Sequence, residues 1–245
     1  MSGQFNNFLT KHFIPAQQGM PERRYDLDWL RILVFGLLIF YHIGMLYVAN
    51  WGFHFKSTYQ SETLESLMLI VEPWRMASLW IISGIAIRFI LVKVSLIRYT
   101  FIRSLRLLLP LLFGVLVVVP PQLYVEMTAN DALNMSYWQF YLAMFTDNSS
   151  LFENYQPGIW PHWDVNHLWY LRSLWQYSLA LIVLLPLLNS SYVAAASNWL
   201  FKQHISVIVL ILSLPIIFIQ LNWPIDTSRY PLGFTFLIYG YLIGW

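Results

Sequence analysis

Residues 204–221 read HISVIVLILSLPIIFIQL, eighteen residues without one Asp, Glu, Lys or Arg. At 1.5 Å per residue they make a helix of about 27 Å, close to the roughly 30 Å thickness of a bilayer's hydrocarbon core. Comparable apolar blocks occupy 29–48, 73–94, 105–119 and 167–188. The expected fold is therefore all-α: a polytopic integral membrane protein with five complete transmembrane helices and the start of a sixth near Leu232. Pro120-Pro121 should stop the third span, and Pro215 should kink the fifth. From Leu232 to Trp245 only about 21 Å of helix is available, so the chain is expected to stop inside a span. It reads as the incomplete N-terminal part of one membrane domain over residues 1–245.

Composition agrees. Charged residues make up 11% of the chain, hydrophobic residues 58%, and mean hydropathy is +0.55. Soluble domains carry about 25% charged residues. There is no cysteine, which excludes disulfides and thiolate metal sites. Residues 1–24 lack the apolar stretch of a signal peptide. Basic residues set the expected orientation. With the N-terminus in the cytoplasm, ten fall inside (Lys11, Arg23, Arg24, Arg31, Arg88, Lys93, Arg98, Arg103, Arg106, Lys202) and four outside (Lys56, Arg75, Arg172, Arg229). Nine of the twelve acidic residues fall outside, most of the loop ones within an aromatic segment, 126–166. In that segment 136–147 reads as a short surface helix with Tyr137, Phe140, Tyr141 and Met144 on one side. The basic residues suit lipid and phosphate contacts, and no nucleic-acid partner is expected.

Ionisable groups at membrane depth cost about 2.5–3.5 kcal/mol at a helix centre, so each calls for an explanation. Asp28, Arg31 and His42 share one face of the first span. Arg31 and His42 are eleven residues apart, about 16 Å along the axis. Capping, snorkelling and an interhelical hydrogen bond explain them without chemistry. A neutral imidazole in the membrane interior would also serve as a base or as a nucleophile. Arg103 and Arg106 are i,i+3 neighbours with Arg98 one turn away, a grouping that suits phosphates or simply fixes topology. Arg75 precedes Ile82-Ser83-Gly84, where small residues allow close helix contact. His167, Trp169 and Arg172 open the fourth span as an aromatic belt with an anchoring cation. His54, His162 and His167 form no helical ligand pair, so no metal is expected.

At these residues the chain resembles acyltransferase family 3, and within it the glucans biosynthesis protein C group. Four stretches carry the likeness: Leu27-Asp28…Arg31 with His42, Arg75-Met76 with Ile82-Ser83-Gly84, Arg103-x-x-Arg106 before Pro110, and His167-Leu168-Trp169-Tyr170-Leu171. The resemblance implies transfer of an acetyl or succinyl group from a cytoplasmic acyl-CoA, a co-substrate and not a bound cofactor, to an extracytoplasmic carbohydrate. It implies a catalytic His42, with Arg31 and Asp28 lower on the same helix face as its candidate partners in catalysis, donor contacts from Arg103, Arg106 and Arg98, and a bacterial inner-membrane location. Arg75, Ser83, His167, Trp169 and Arg172 are the expected acceptor-side residues. The main competing reading is a transporter or flippase, since intramembrane Arg and His also mark substrate paths.

Overall fold

The computed structural model describes residues 25–53, 55–130, 133–146 and 165–243, and these are all-helical or connecting segments without a strand. The helices are α1 (Tyr25–Met45), α2 (Glu62–Leu91), α3 (Leu96–Phe113), α4 (Val119–Ala129), α5 (Tyr137–Thr146), α6 (Trp169–Leu188), α7 (Ser191–Leu200), α8 (Ile205–Asn222) and α9 (Ile225–Ile243). Five helical stretches are long and apolar enough to cross a membrane: α1, α2, the continuous Leu96–Ala129, α6 and α8. This is the fold of a polytopic membrane protein.

Several boundaries differ from expectation, each for a local reason. The Pro120-Pro121 stop does not hold, because a π-helical turn at Gly114–Val118 joins α3 to α4. There the Val119 N–H reaches back five residues to the Gly114 carbonyl. The widened turn re-registers the ladder, and the two prolines enter as first-turn residues of α4, where a missing N–H costs little. α2 begins at Glu62, not near Pro73, because Ser61 caps it: its hydroxyl accepts from the Leu64 N–H, with Glu62 and Glu65 in the first turn. α9 begins at Ile225, seven residues before the expected start at Leu232. Residues 191–200, between the fourth and fifth spans, form α7 capped by Ser190. α8 runs through Pro215 without interruption of the helix.

The chain divides into two units. The first comprises Met1–Leu38, Val71–Ile102 and Tyr177–Trp245. Its centre is the α2–α9 contact, where two backbones meet. A Cβ on Gly84 would strike the Leu237 carbonyl oxygen, and one on Gly240 would strike that of Ile81. Trp80 lies against Gly233 and tilts over Tyr177 at 5.2 Å between ring centroids, and the Tyr177 hydroxyl donates to the Tyr230 carbonyl at 2.7 Å. The second unit comprises Ile39–Ile70 and Arg103–Gln176. Its core is a cluster of large side chains, Val119, Leu123, Met127, Phe140 and Met144, that seats α5 on α4. The Tyr141 hydroxyl donates to the Leu116 carbonyl inside the π turn at 3.2 Å. α5 is the expected helix, with Phe140 and Met144 on one side as expected; that side is buried against α4, while Trp138 and Leu142 face outward. Burial first, and then the neighbouring Tyr141, hold the Tyr137 phenol above its ordinary pKa.

Candidate functional site

Asp28 and Arg31 are both half-buried on the first turns of α1 and face each other at 4.0 Å. An i,i+3 carboxylate–guanidinium pair of this kind fixes the arginine head at little cost. His42 lies one turn before the end of the same helix and makes an edge contact with Tyr41 at 6.4 Å between centroids. No other part of the protein among the described residues covers His42, which is exposed together with Ile39, Phe40 and Ile43 around it on a helix apolar enough to span a membrane.

Just past His42 the chain makes a fastened turn. The Lys56 ammonium donates to the Met45 carbonyl at 2.9 Å and to the Val48 carbonyl at 2.7 Å, closing the carboxyl end of α1. A cation there complements the helix dipole as well as two orphan acceptors. Ser57 N–H to Leu46 and Ser61 N–H to Tyr47 tie the returning chain to the same turn, and Glu65 accepts from the backbone and side chain of Asn50. In the sequence Lys56 reads only as an outer charge. Its role depends on where the 46–61 segment folds back, which no local pattern states.

Arg103 and Arg106 sit on consecutive turns of α3, Arg103 half-buried and Arg106 exposed. Arg98, on the first turn of the same helix, has a buried Nε with no hydrogen-bond partner among the described residues. Between them, Ser104 accepts from the Trp175 indole N–H at 3.0 Å, which fastens this stretch of α3 to α6. A little further along, Leu111, Val115 and Val165 form a buried cluster against which Leu108, Leu168, Trp169 and Leu171 pack. Two of the motif stretches, Arg103–Pro110 and His167–Leu171, are therefore neighbours. His167 is exposed on the 3-10 turn Asn166–Leu168, while Trp169 and Arg172 are half-buried at the start of α6.

The units divide the expected site residues unevenly. His42, Arg103, Arg106, His167, Trp169 and Arg172 belong to the second; Asp28, Arg31, Arg75, Ser83 and Arg98 belong to the first. Arg75 and Ser83 are half-buried on α2, Ser83 beside the glycine of the α2–α9 contact. His54 and His162 lie outside the described residues, as do 131–132 and 147–164 of the 126–166 segment.

A family model described as an acyltransferase domain matches residues 24–245. The chain belongs to acyltransferase family 3. This membrane acyltransferase matches no curated protein and no solved structure. It is an integral membrane enzyme that transfers acyl groups other than aminoacyl groups, and the apolar surface of its five long helices is bilayer contact. The family match covers all four motif stretches.

Proposed function

We propose that this acyltransferase moves an acetyl or succinyl group from acyl-CoA on the cytoplasmic side to a hydroxyl of an extracytoplasmic carbohydrate, a periplasmic glucan or envelope polysaccharide, in the manner of the glucans biosynthesis protein C group. The observation that supports it best is the adjacency of the Arg103–Pro110 and His167–Leu171 stretches within the unit that also holds His42. In the orientation favoured by the basic residues, with the N-terminus in the cytoplasm of a bacterial inner membrane, Arg98, Arg103 and Arg106 come from the inner side. There they meet the donor's phosphates through charge-assisted hydrogen bonds. The unpartnered Arg98 Nε is a donor still to be satisfied. Arg75, Ser83, His167, Trp169 and Arg172 hold the acceptor.

In the direct route the hydroxyl oxygen bonds to the thioester carbonyl carbon, the carbon–sulfur bond breaks, and the hydroxyl proton passes through His42 to the leaving thiolate. In the carrier route a His42 ring nitrogen first bonds to that carbon as the carbon–sulfur bond breaks, and the hydroxyl oxygen then displaces the imidazole, its proton ending on the thiolate. His42 acts either as general base on the hydroxyl or as an intermediate acyl carrier. The Asp28–Arg31 pair orients the donor lower on α1.

The test is His42→Ala in the complete protein. Because His42 is exposed, the substitution leaves packing intact, and kcat should fall about a hundredfold or more with unchanged expression. His42→Gln with near-normal kcat would reject both mechanisms. In parallel, Arg103→Ala and Arg106→Ala should each raise the KM for acyl-CoA by roughly 10- to 150-fold, the loss of one charge-assisted contact. An unchanged KM in both would leave these arginines as topology determinants.

A further inference from the structure

Arg88 lies in the last turn of α2 and belongs to none of the four motif stretches. Its Nη1 donates to the Asn189 side-chain oxygen and to the Tyr241 hydroxyl, both at 2.7 Å. Tyr241 in turn donates to the same Asn189 oxygen at 2.9 Å, and the guanidinium carbon lies 4.8 Å from the Tyr241 ring centroid. Three parts of the first unit, α2, the α6–α7 turn and α9, thus orient one cation. Fixing a guanidinium in advance removes much of the ordering cost of binding an anion.

These three side chains help line a cavity of about 400 Å³. Leu91, Val92, Leu185 and Pro186 supply its apolar wall, and among the described residues no carboxylate lines it. Leu96, the first residue of α3, is also in the wall, opposed by the carboxyl-terminal turns of α2 and α6, so the positive charge of the space comes from Arg88. A latch that only joined three helices would need no cavity beside it. A cavity that held only hydrocarbon would not need a cation in its lining. Volume, wall and charge together suit a molecule with an anionic head and an apolar arm.

We propose that this cavity binds a phosphate-bearing amphiphile, its phosphate at Arg88 and its apolar part along Leu91, Val92 and Leu185. Two sources share that chemistry. One is a membrane phospholipid, entering past Val92, which is 78% exposed at the rim. The other is a phosphate of the thioester donor. The donor source rests on the acyl-CoA reading above; the lipid source does not.

The experiment uses the full chain in neutral detergent, titrated with phosphatidylglycerol, phosphatidylcholine or acetyl-CoA and read by native mass spectrometry and thermal unfolding. Arg88→Gln removes the cation, and Val92→Trp narrows the rim from an exposed position while leaving the Arg88–Asn189–Tyr241 triad intact. If the Gln variant does not fold, the Trp variant decides alone. A tenfold or greater rise in the Kd for phosphatidylglycerol, with weak phosphatidylcholine binding throughout, identifies the lipid. A rise of the same size for acetyl-CoA identifies the donor. If the folded variants bind both compounds as the parent does, or the parent binds neither, the cavity is not such a site.

Discussion

The two units hold their helices together by opposite means. In the first, Gly84 and Gly240 bring the backbones of α2 and α9 into direct contact, and nothing in the seam can yield. In the second, Phe140, Met144, Leu123 and Val119 fill the space between α4 and α5 with bulky side chains that have some freedom to adjust. A bilayer provides no hydrophobic force between apolar helices, so close backbone approach gains dispersion contacts that large side chains would prevent. The α4–α5 cluster has the character of a soluble core. A seam of the first kind should fail abruptly, and a cluster of the second kind in proportion to the volume removed.

The largest effect is expected at the seam. Gly240→Leu would drive its side chain into the Ile81 carbonyl, and the protein should lose its monodisperse peak on size exclusion in mild detergent. Retention of that peak would mean the backbones are not held in contact. The next is Phe140→Ala, which should lower stability by about 3–5 kcal/mol while leaving a folded protein, measured as a shift in denaturant midpoint. A shift below about 1 kcal/mol would show that α5 is not anchored through its phenyl ring. The smallest is Gly36→Ala on α1, where a Cβ meets nothing within 4 Å. With helix propensity alone in play, stability should rise by about 0.5–1 kcal/mol. A loss there would place an unexpected contact against α1.

Much of this contrast was legible in the sequence, and its exceptions have physical causes. Ser83-Gly84 reads as a close-contact site because small residues say where a helix can be approached, but only the fold shows that Gly240 answers it. The buried side of α5 follows from the spacing of Phe140 and Met144. Pro120-Pro121 misleads because a proline's meaning depends on the turn before it, and a π turn leaves no pattern in hydropathy. The Ser61 cap of α2 is hidden by the polar residues that come after it. Among the site residues, the Asp28–Arg31 pair lies within one helix and is readable. The Lys56 clip and the Arg88–Asn189–Tyr241 triad join residues distant in sequence, which no spacing rule connects.

The stretch Leu96–Ala129 is continuously helical over 34 residues, a contour of roughly 51 Å with Pro110 and a π turn along it. Even tilted by about 40°, the steep end of the range for transmembrane helices, it spans roughly 39 Å against a hydrocarbon core of about 30 Å. Run straight, a helix of that length would have turns to spare beyond the lipid tails. Because α5 is seated on α4, the elevation of α5 is set by counting residues along that helix, not by the thickness of the surrounding membrane. The stretch works as a built-in height gauge, and its setting would change by about 1.5 Å for each residue added to or removed from the helix.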